Sequence, residues 1–166
     1  MSRIANFCPN CGVKLILKHH QGRERPICPD CNYTFYFDPK VAVLALVIRD
    51  EKVLLIQRAI DPGAGKWACP AGFVEHDEDP ADAVLRELKA ETGLSGKITN
   101  LLEIFPRKDK VLADIVIAYT LKITGGDLSP DDDASDAGWF TRDTLPELVF
   151  YPSLHLVGER FRNGEL

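Results

Sequence analysis

Residues 41–48, VAVLALVI, are a near-continuous apolar run of strand length, the pattern of a strand buried on both faces. The charged RDEK that follows reads as a turn, and VLLIQR at 53–58 as the returning strand. AIDPGAGKWACPAG, with three glycines and two prolines, is a loop carrying a short strand around Trp67. The period then changes. Ala81, Val84, Leu85 and Leu88 recur at i, i+3, i+4 and i+7, the buried stripe of a helix. Asp79 is its cap, Pro80 suits its first turn and Gly93 its stop. Further strands are expected at 98–105, 111–123 and GWF 138–140, with helices at 143–148 and 152–162 and an acidic loop, GGDLSPDDDASD, at 125–136. This irregular alternation predicts an α/β domain with a mixed sheet sandwiched by helices.

Ahead of that pattern the chain reads differently. FCPNCG and ICPDCN place Cys8, Cys11, Cys28 and Cys31 as two CxxC pairs, the spacing of a closed four-thiolate Zn²⁺ site whose role is folding. Residues 1–38 are therefore expected to be a zinc ribbon and 39–166 the larger domain. Cys69, alone beside Pro70, reads as a small buried hydrophobe. The chain has 166 residues, 45% of them hydrophobic and 27% charged, with a net charge of −5. That charge disfavours broad affinity for nucleic acid. No apolar run reaches the ~20 residues of a membrane span, and the N-terminus has no signal-like apolar core. A cytoplasmic protein is expected.

The helix poses the chemical question. Glu87 and Glu91 lie four residues apart at the edge of the apolar stripe, where like charges destabilise an isolated helix. A divalent cation between them would compensate, and oxygen ligands that leave waters in place suit Mg²⁺ or Mn²⁺. The alternative is two solvated surface glutamates. The surrounding segment, GFVEHDEDPADAVLRELKAETGL at 72–94, resembles the Nudix box, Gx5Ex7REUxEExGU. Gly72, Glu78, Arg86, Glu87, Leu88, Glu91, Gly93 and Leu94 match, and Ala90 departs where that family has glutamate. The cysteine module resembles the zinc ribbon of NADH pyrophosphatases and their relatives.

The resemblance implies an α/β/α sandwich that uses divalent metals to hydrolyse a nucleoside diphosphate linked to another moiety. It makes Glu87 and Glu91 metal ligands, with Gly72 lending a carbonyl, and Glu75 a further ligand or substrate-positioning carboxylate. It pairs Arg86 with Glu78 as structural support. Gly72, Phe73 and Arg58 are the candidate substrate contacts. The general base is left open among Glu103, Asp132, Asp133 and Asp136, although a DDD run is ordinarily a solvated turn. His19, His20, His76 and His155 read as surface residues, and Trp67, Trp139 and Tyr151 as core. In place of the SQPWPFPxS stretch of NADH pyrophosphatases this chain has VFYPS at 149–153, which favours ADP-ribose or FAD over NADH. Ala90 keeps a second possibility open, a catalytically silent nucleotide sensor, and a nucleic-acid-binding ribbon on a vestigial sandwich is a third. Sandwiches of this kind often dimerise, so a homodimer is compatible with the reading.

Overall fold

A computed structural model describes residues 4–106 and 113–166. The chain divides into two compact units, residues 1–39 and 40–166. In the first, β1 (Ile16–His20) and β2 (Arg23–Ile27) form an antiparallel hairpin. Its two-residue turn, Gln21–Gly22, has positive φ at both positions (52° and 76°), the primed geometry that matches strand twist. Flanking the hairpin are two matched knuckles. Gly12 N–H donates to the Cys8 carbonyl at 2.8 Å, and Asn32 N–H to that of Cys28 at 3.1 Å. Gly12 and Asn32 stand at equivalent places, and both are left-handed (φ 74° and 59°), as a turn this tight requires of glycine or asparagine. The core here is small: Cys8, Leu15 and Cys28.

Among the described residues of the second unit, a seven-stranded mixed sheet runs in the order β5–β4–β3–β8–β7, with β6 also on β3 and β9 also on β4. The strands are β3 (Val41–Arg49), β4 (Lys52–Arg58), β5 (Trp67–Ala68), β6 (Ala71–Phe73), β7 (Ser95–Pro106), β8 (Ile115–Gly125) and β9 (Ala134–Phe140). Pairing of β3 with β8 is parallel, and the other pairings are antiparallel. The apolar run is explained by alternation along β3. Val43, Ala45 and Val47 join a core with Ala83, Val84 and Leu88 of helix α1 (Pro80–Thr92). Leu44 and Leu46 join the opposite core with Leu156, Val157 and Phe161 of the C-terminal helix. Both faces are covered, giving the expected sandwich.

The edge of β3 is shared. It pairs with β4 only at Ile48–Val53 and Arg49–Lys52, and with β6 at residues 42–44. Between these points β3 and β4 part, and the turn from β5 to β6 fills the fork, held by Ala45 N–H donating to the Pro70 carbonyl (2.8 Å).

Helix α1 has the expected ends. Ala81 N–H donates to Asp79 Oδ1 at 2.8 Å, and Gly93 closes the helix in the left-handed region (φ 71°) with its N–H on the Lys89 carbonyl. Several expectations are corrected. The stripe is Ala83, Val84, Glu87, Leu88, Glu91 and Thr92, whereas Ala81 and Leu85 are half-buried. β7 is longer than 98–105. The expected strand 111–123 is β8, starting at Ile115, and residues 111 and 112 lie outside the described residues. β9 begins at Ala134, four residues before GWF. In place of a helix at 143–148 there is one 3₁₀ turn, Arg142–Thr144, after which the chain binds β5: Trp67 N–H donates to the Glu147 carbonyl and Val149 N–H to that of Trp67. The last helix starts at Tyr151–Ser153 and widens into π geometry over Leu154–Phe161.

Candidate active site

The site is built where α1 crosses β6. Glu87 and Glu91 are both buried, at 9% and 2% exposure, rather than at the stripe's edge. Glycine at position 72 leaves room for Glu87, because a Cβ there would overlap its carboxylate. The Ala71 N–H donates to Glu91 Oε2 at 2.9 Å. Burial, with the neighbouring Glu87 charge adding to it, pushes the Glu91 carboxyl up to about 8. Burial also raises Glu87, opposed by Arg86. Two desolvated carboxyls four residues apart, in a cradle only glycine leaves open, fit a hard divalent cation. Among the described residues no third carboxylate closes on them as tightly as the four cysteines close on one another.

Arg86 organises the surroundings. Its Nε and Nη2 donate to the two oxygens of Glu78, both at 2.7 Å, its Nη1 to Glu87 Oε1 at 2.6 Å, and Nη2 also to the Phe73 carbonyl at 3.0 Å. The bidentate contact holds Glu78 below the ordinary carboxylate range. One guanidinium thus ties the loop before the helix, the β6 strand and a buried carboxylate together, more than the loop-to-helix pair expected from sequence. Glu75 is exposed, and its backbone N–H donates to Glu78 Oε2 at 3.2 Å.

A cavity of about 240 Å³ opens at the fork of the sheet. Its wall is largely apolar, with Phe73, Phe105, Phe150 and Tyr151 among the lining residues, and its polar groups include Glu91, Arg58 and Asp133. Arg58 leaves the end of β4, donates from Nε to the Pro62 carbonyl at 3.0 Å, and lies over the Phe150 ring at 5.0 Å. Phe150 itself has φ 65°, a conformation non-glycine residues adopt at a cost of about 1–3 kcal/mol, and such strain clusters at ligand sites. Cys69 is buried, as expected, and burial pushes its thiol up to about 12.

The DDD run is largely the solvated turn that its composition suggests, with Asp131 and Asp132 exposed and Asp133 half-buried. Asp133 lines the cavity and its charge is felt by Glu91, as that of Asp132 is by Glu87. The signal lay in β9, which pairs Ala134 with Arg58 and so carries the preceding residue to the cleft. The other candidate bases are engaged elsewhere. Glu103 meets Arg160 at 3.3 Å, and Asp136 accepts from its neighbour's N–H within β9. Tyr151 lines the cavity, edge-on to Phe105 and stacked with His155. Trp67 packs edge-on to Phe140, and Trp139 carries Arg49 over its ring.

In the first unit the four cysteine sulfurs lie within 4.8 Å of one another, with Cys8–Cys31 at 3.6 Å, Cys11–Cys28 at 3.5 Å and Cys11–Cys31 at 3.7 Å. Tetrahedral zinc with Zn–S bonds of ~2.3 Å needs sulfurs about 3.8 Å apart, so the set fits that ion. Backbone amides, that of Cys31 first, pull the Cys28 thiol down to about 7 against burial. Against the amides of Val13 and Tyr33, burial and hydrogen bonds among the clustered thiols raise Cys11 and Cys31, so without a metal one thiolate is favoured at the expense of its neighbours.

Among known proteins, the Nudix domain family model matches residues 38–157. An ADP-ribose pyrophosphatase of Methanocaldococcus jannaschii is 42% identical over 120 residues, which is 71% of this chain and 71% of that protein. The NAD-capped RNA hydrolase NudC of Chromobacterium violaceum is 32% identical over 145 residues, 86% of this chain. The chain spans about half the length of such NudC relatives (52% for this one). The crystal structure of a Nudix hydrolase from Nitrosomonas europaea superposes with a TM-score of 0.87 at 27% identity, over 97% of this chain and 93% of that one.

Proposed function

This chain belongs to the Nudix family, and from that premise we propose that it hydrolyses the pyrophosphate bond of a nucleoside diphosphate derivative, ADP-ribose or FAD ahead of NADH. The products are a nucleoside monophosphate and a phosphorylated partner. The observation that carries this reading is the pair of buried carboxylates, Glu87 against Gly72 and Glu91 at the wall of a cavity with an apolar lining. The name of the Methanocaldococcus relative supports ADP-ribose. A cavity of about 240 Å³, small among ligand sites, suits a terminal sugar phosphate better than a three-ring flavin.

Glu87, Glu91 and the Gly72 carbonyl would hold Mg²⁺ or Mn²⁺, whose charge would lower the pKa of a water and offset charge on the attacked phosphorus. The chain's own groups do the rest. Arg86 fixes the position of a Glu87 oxygen, and Glu78 fixes Arg86. Arg58 offers its positive charge to a phosphate at the cavity wall. Asp133, with its carboxyl at the same cavity, accepts the proton of the attacking water. Phe73 and the apolar lining bind the non-phosphate moiety and exclude bulk water. Glu75 serves as a positioning carboxylate on the turn that Glu78 braces.

Purified protein incubated with ADP-ribose, FAD and NADH plus Mg²⁺ or Mn²⁺ tests this. AMP is expected fastest from ADP-ribose, with a loss of at least ~100-fold in Glu87→Gln and in Asp133→Asn. One observation favours a second reading, a silent nucleotide sensor: the carboxylate missing at Ala90. Nucleotide binding without turnover of any substrate, with bound cation verified, would establish the sensor instead.

A further inference from the structure

The register of the β1–β2 hairpin sets Lys18 opposite Arg25 and His20 opposite Arg23. Directly paired residues project to the same face, and like charges so placed repel. The hairpin's one acidic residue, Glu24, is opposite His19 and therefore on the other face, where it meets His19 Nδ1 at 3.6 Å. Tyr36 joins the cationic face: the Arg25 guanidinium lies over its ring at 4.7 Å, and the residue is 45% exposed. Among the described residues no carboxylate pairs with Lys18, Arg23 or Arg25. The thiolate cluster begins beyond the Ile16–Ile27 pair, at the opposite end of the hairpin from Arg23. The acidic character of the protein does not extend here either, since residues 1–39 carry five basic and three acidic side chains and the other 22 acids lie in 40–166.

We propose that this face of the hairpin binds single-stranded nucleic acid. Its two cationic rows are two residues apart, ~6.7 Å along a strand, comparable to the separation of neighbouring phosphates in an extended chain. The like-charged Lys18–Arg25 pair, with Arg23 beside it on the same face, calls for an anion. Tyr36 and the planar Arg25 call for something more, since a flat surface beside cations is what an unstacked base uses. A duplex keeps its bases stacked away from such a platform, and an acidic peptide has no planar group to place on it.

The test uses the full-length zinc-loaded protein and a fluorescein-labelled 12-mer oligouridylate with a 5′-hydroxyl. That probe has no pyrophosphate to cleave, so the result stands apart from the hydrolase reading. Anisotropy should report a Kd of roughly 10–100 µM at low salt. Three ionic contacts should weaken binding about 20-fold between 50 and 200 mM salt. Lys18→Ala and Arg23→Ala should each reduce the slope of log K against log salt by about 0.7. Tyr36→Ala should weaken binding at both salt concentrations without changing the slope, and Glu24→Gln on the opposite face should leave binding in place. Unchanged zinc content in each variant shows that the ribbon is folded. The proposal is overturned by an absence of binding at 50 mM salt, by slopes indifferent to Lys18 and Arg23, or by duplex RNA or polyglutamate competing as well as the single strand.

Discussion

A carboxyl driven to about 8 by burial is held at Glu91 against its own electrostatics, and the sign of that shift makes a pH experiment. The folded-state value lies above the usual 4.5, so the folded protein binds this proton more tightly than the unfolded chain does. The corresponding stability is fully present below about pH 4.5 and is lost as pH rises through about 8. Glu87 is shifted the same way. Metal-free protein should therefore lose Tm between pH 5 and pH 8, Glu91→Gln should flatten that decline, and Mg²⁺ at pH 8 should restore part of the wild-type loss. Parallel wild-type and variant curves by differential scanning fluorimetry would count against it. The close approach at Gly72 is equally testable. Gly72→Ala forces the Glu87 carboxylate aside, which the end of a flexible side chain accommodates at little cost in stability, and should lose most activity while Tm changes little. A helical wheel places Glu87 and Glu91 on one side, but only the β6 backbone facing them makes them buried, which is why the sequence led to an edge position.

At the level of elements, the best-read segment was α1, because its limits are local chemistry. Asp79, Pro80 and Gly93 act through their own backbones and immediate neighbours. Asp79→Ala should cost about 1 kcal/mol, a fall in Tm of roughly 2–4 °C for a chain of this size, and circular dichroism melts would read it. Segments whose conformation is imposed from outside were the ones misjudged. Ala134–Asp136 has no strand pattern and becomes strand by pairing with β4. Residues 145–149 carry helix-compatible side chains but spend their backbone groups on Trp67. Asp133 shows the same influence within a turn that is otherwise solvated: the pairing of β9 with β4 brings this one residue to the cavity wall. The Nudix box and the cysteine spacing were legible because each depends on fixed intervals along one stretch, whereas the cavity draws residues from 42 to 153 and no single interval encodes it.

For the molecule as a whole, the two units rest on different forces. Residues 40–166 bury two apolar layers around a sheet, while the core among the described residues of the first unit is three side chains, two of them cysteines, too few to fold a segment of this length unaided. Stripping zinc with a strong chelator and a thiol reagent should open residues 4–39 to trypsin and leave a resistant fragment beginning near residue 40. Equal resistance before and after stripping would show that the metal is dispensable. The fork between β3 and β4 carries a consequence for substrate choice. The turn that fills it is held by main-chain pairing, so the cavity beside it keeps its width unless those bonds break, and bulkier leaving groups would have to be met by the loops at its lips, near Pro62 and Phe150. Under the proposed reaction, those loops could be exchanged while Glu87 and Glu91 behind them stayed as they are, and one framework would be retuned to other nucleotides without rebuilding its acidic pair.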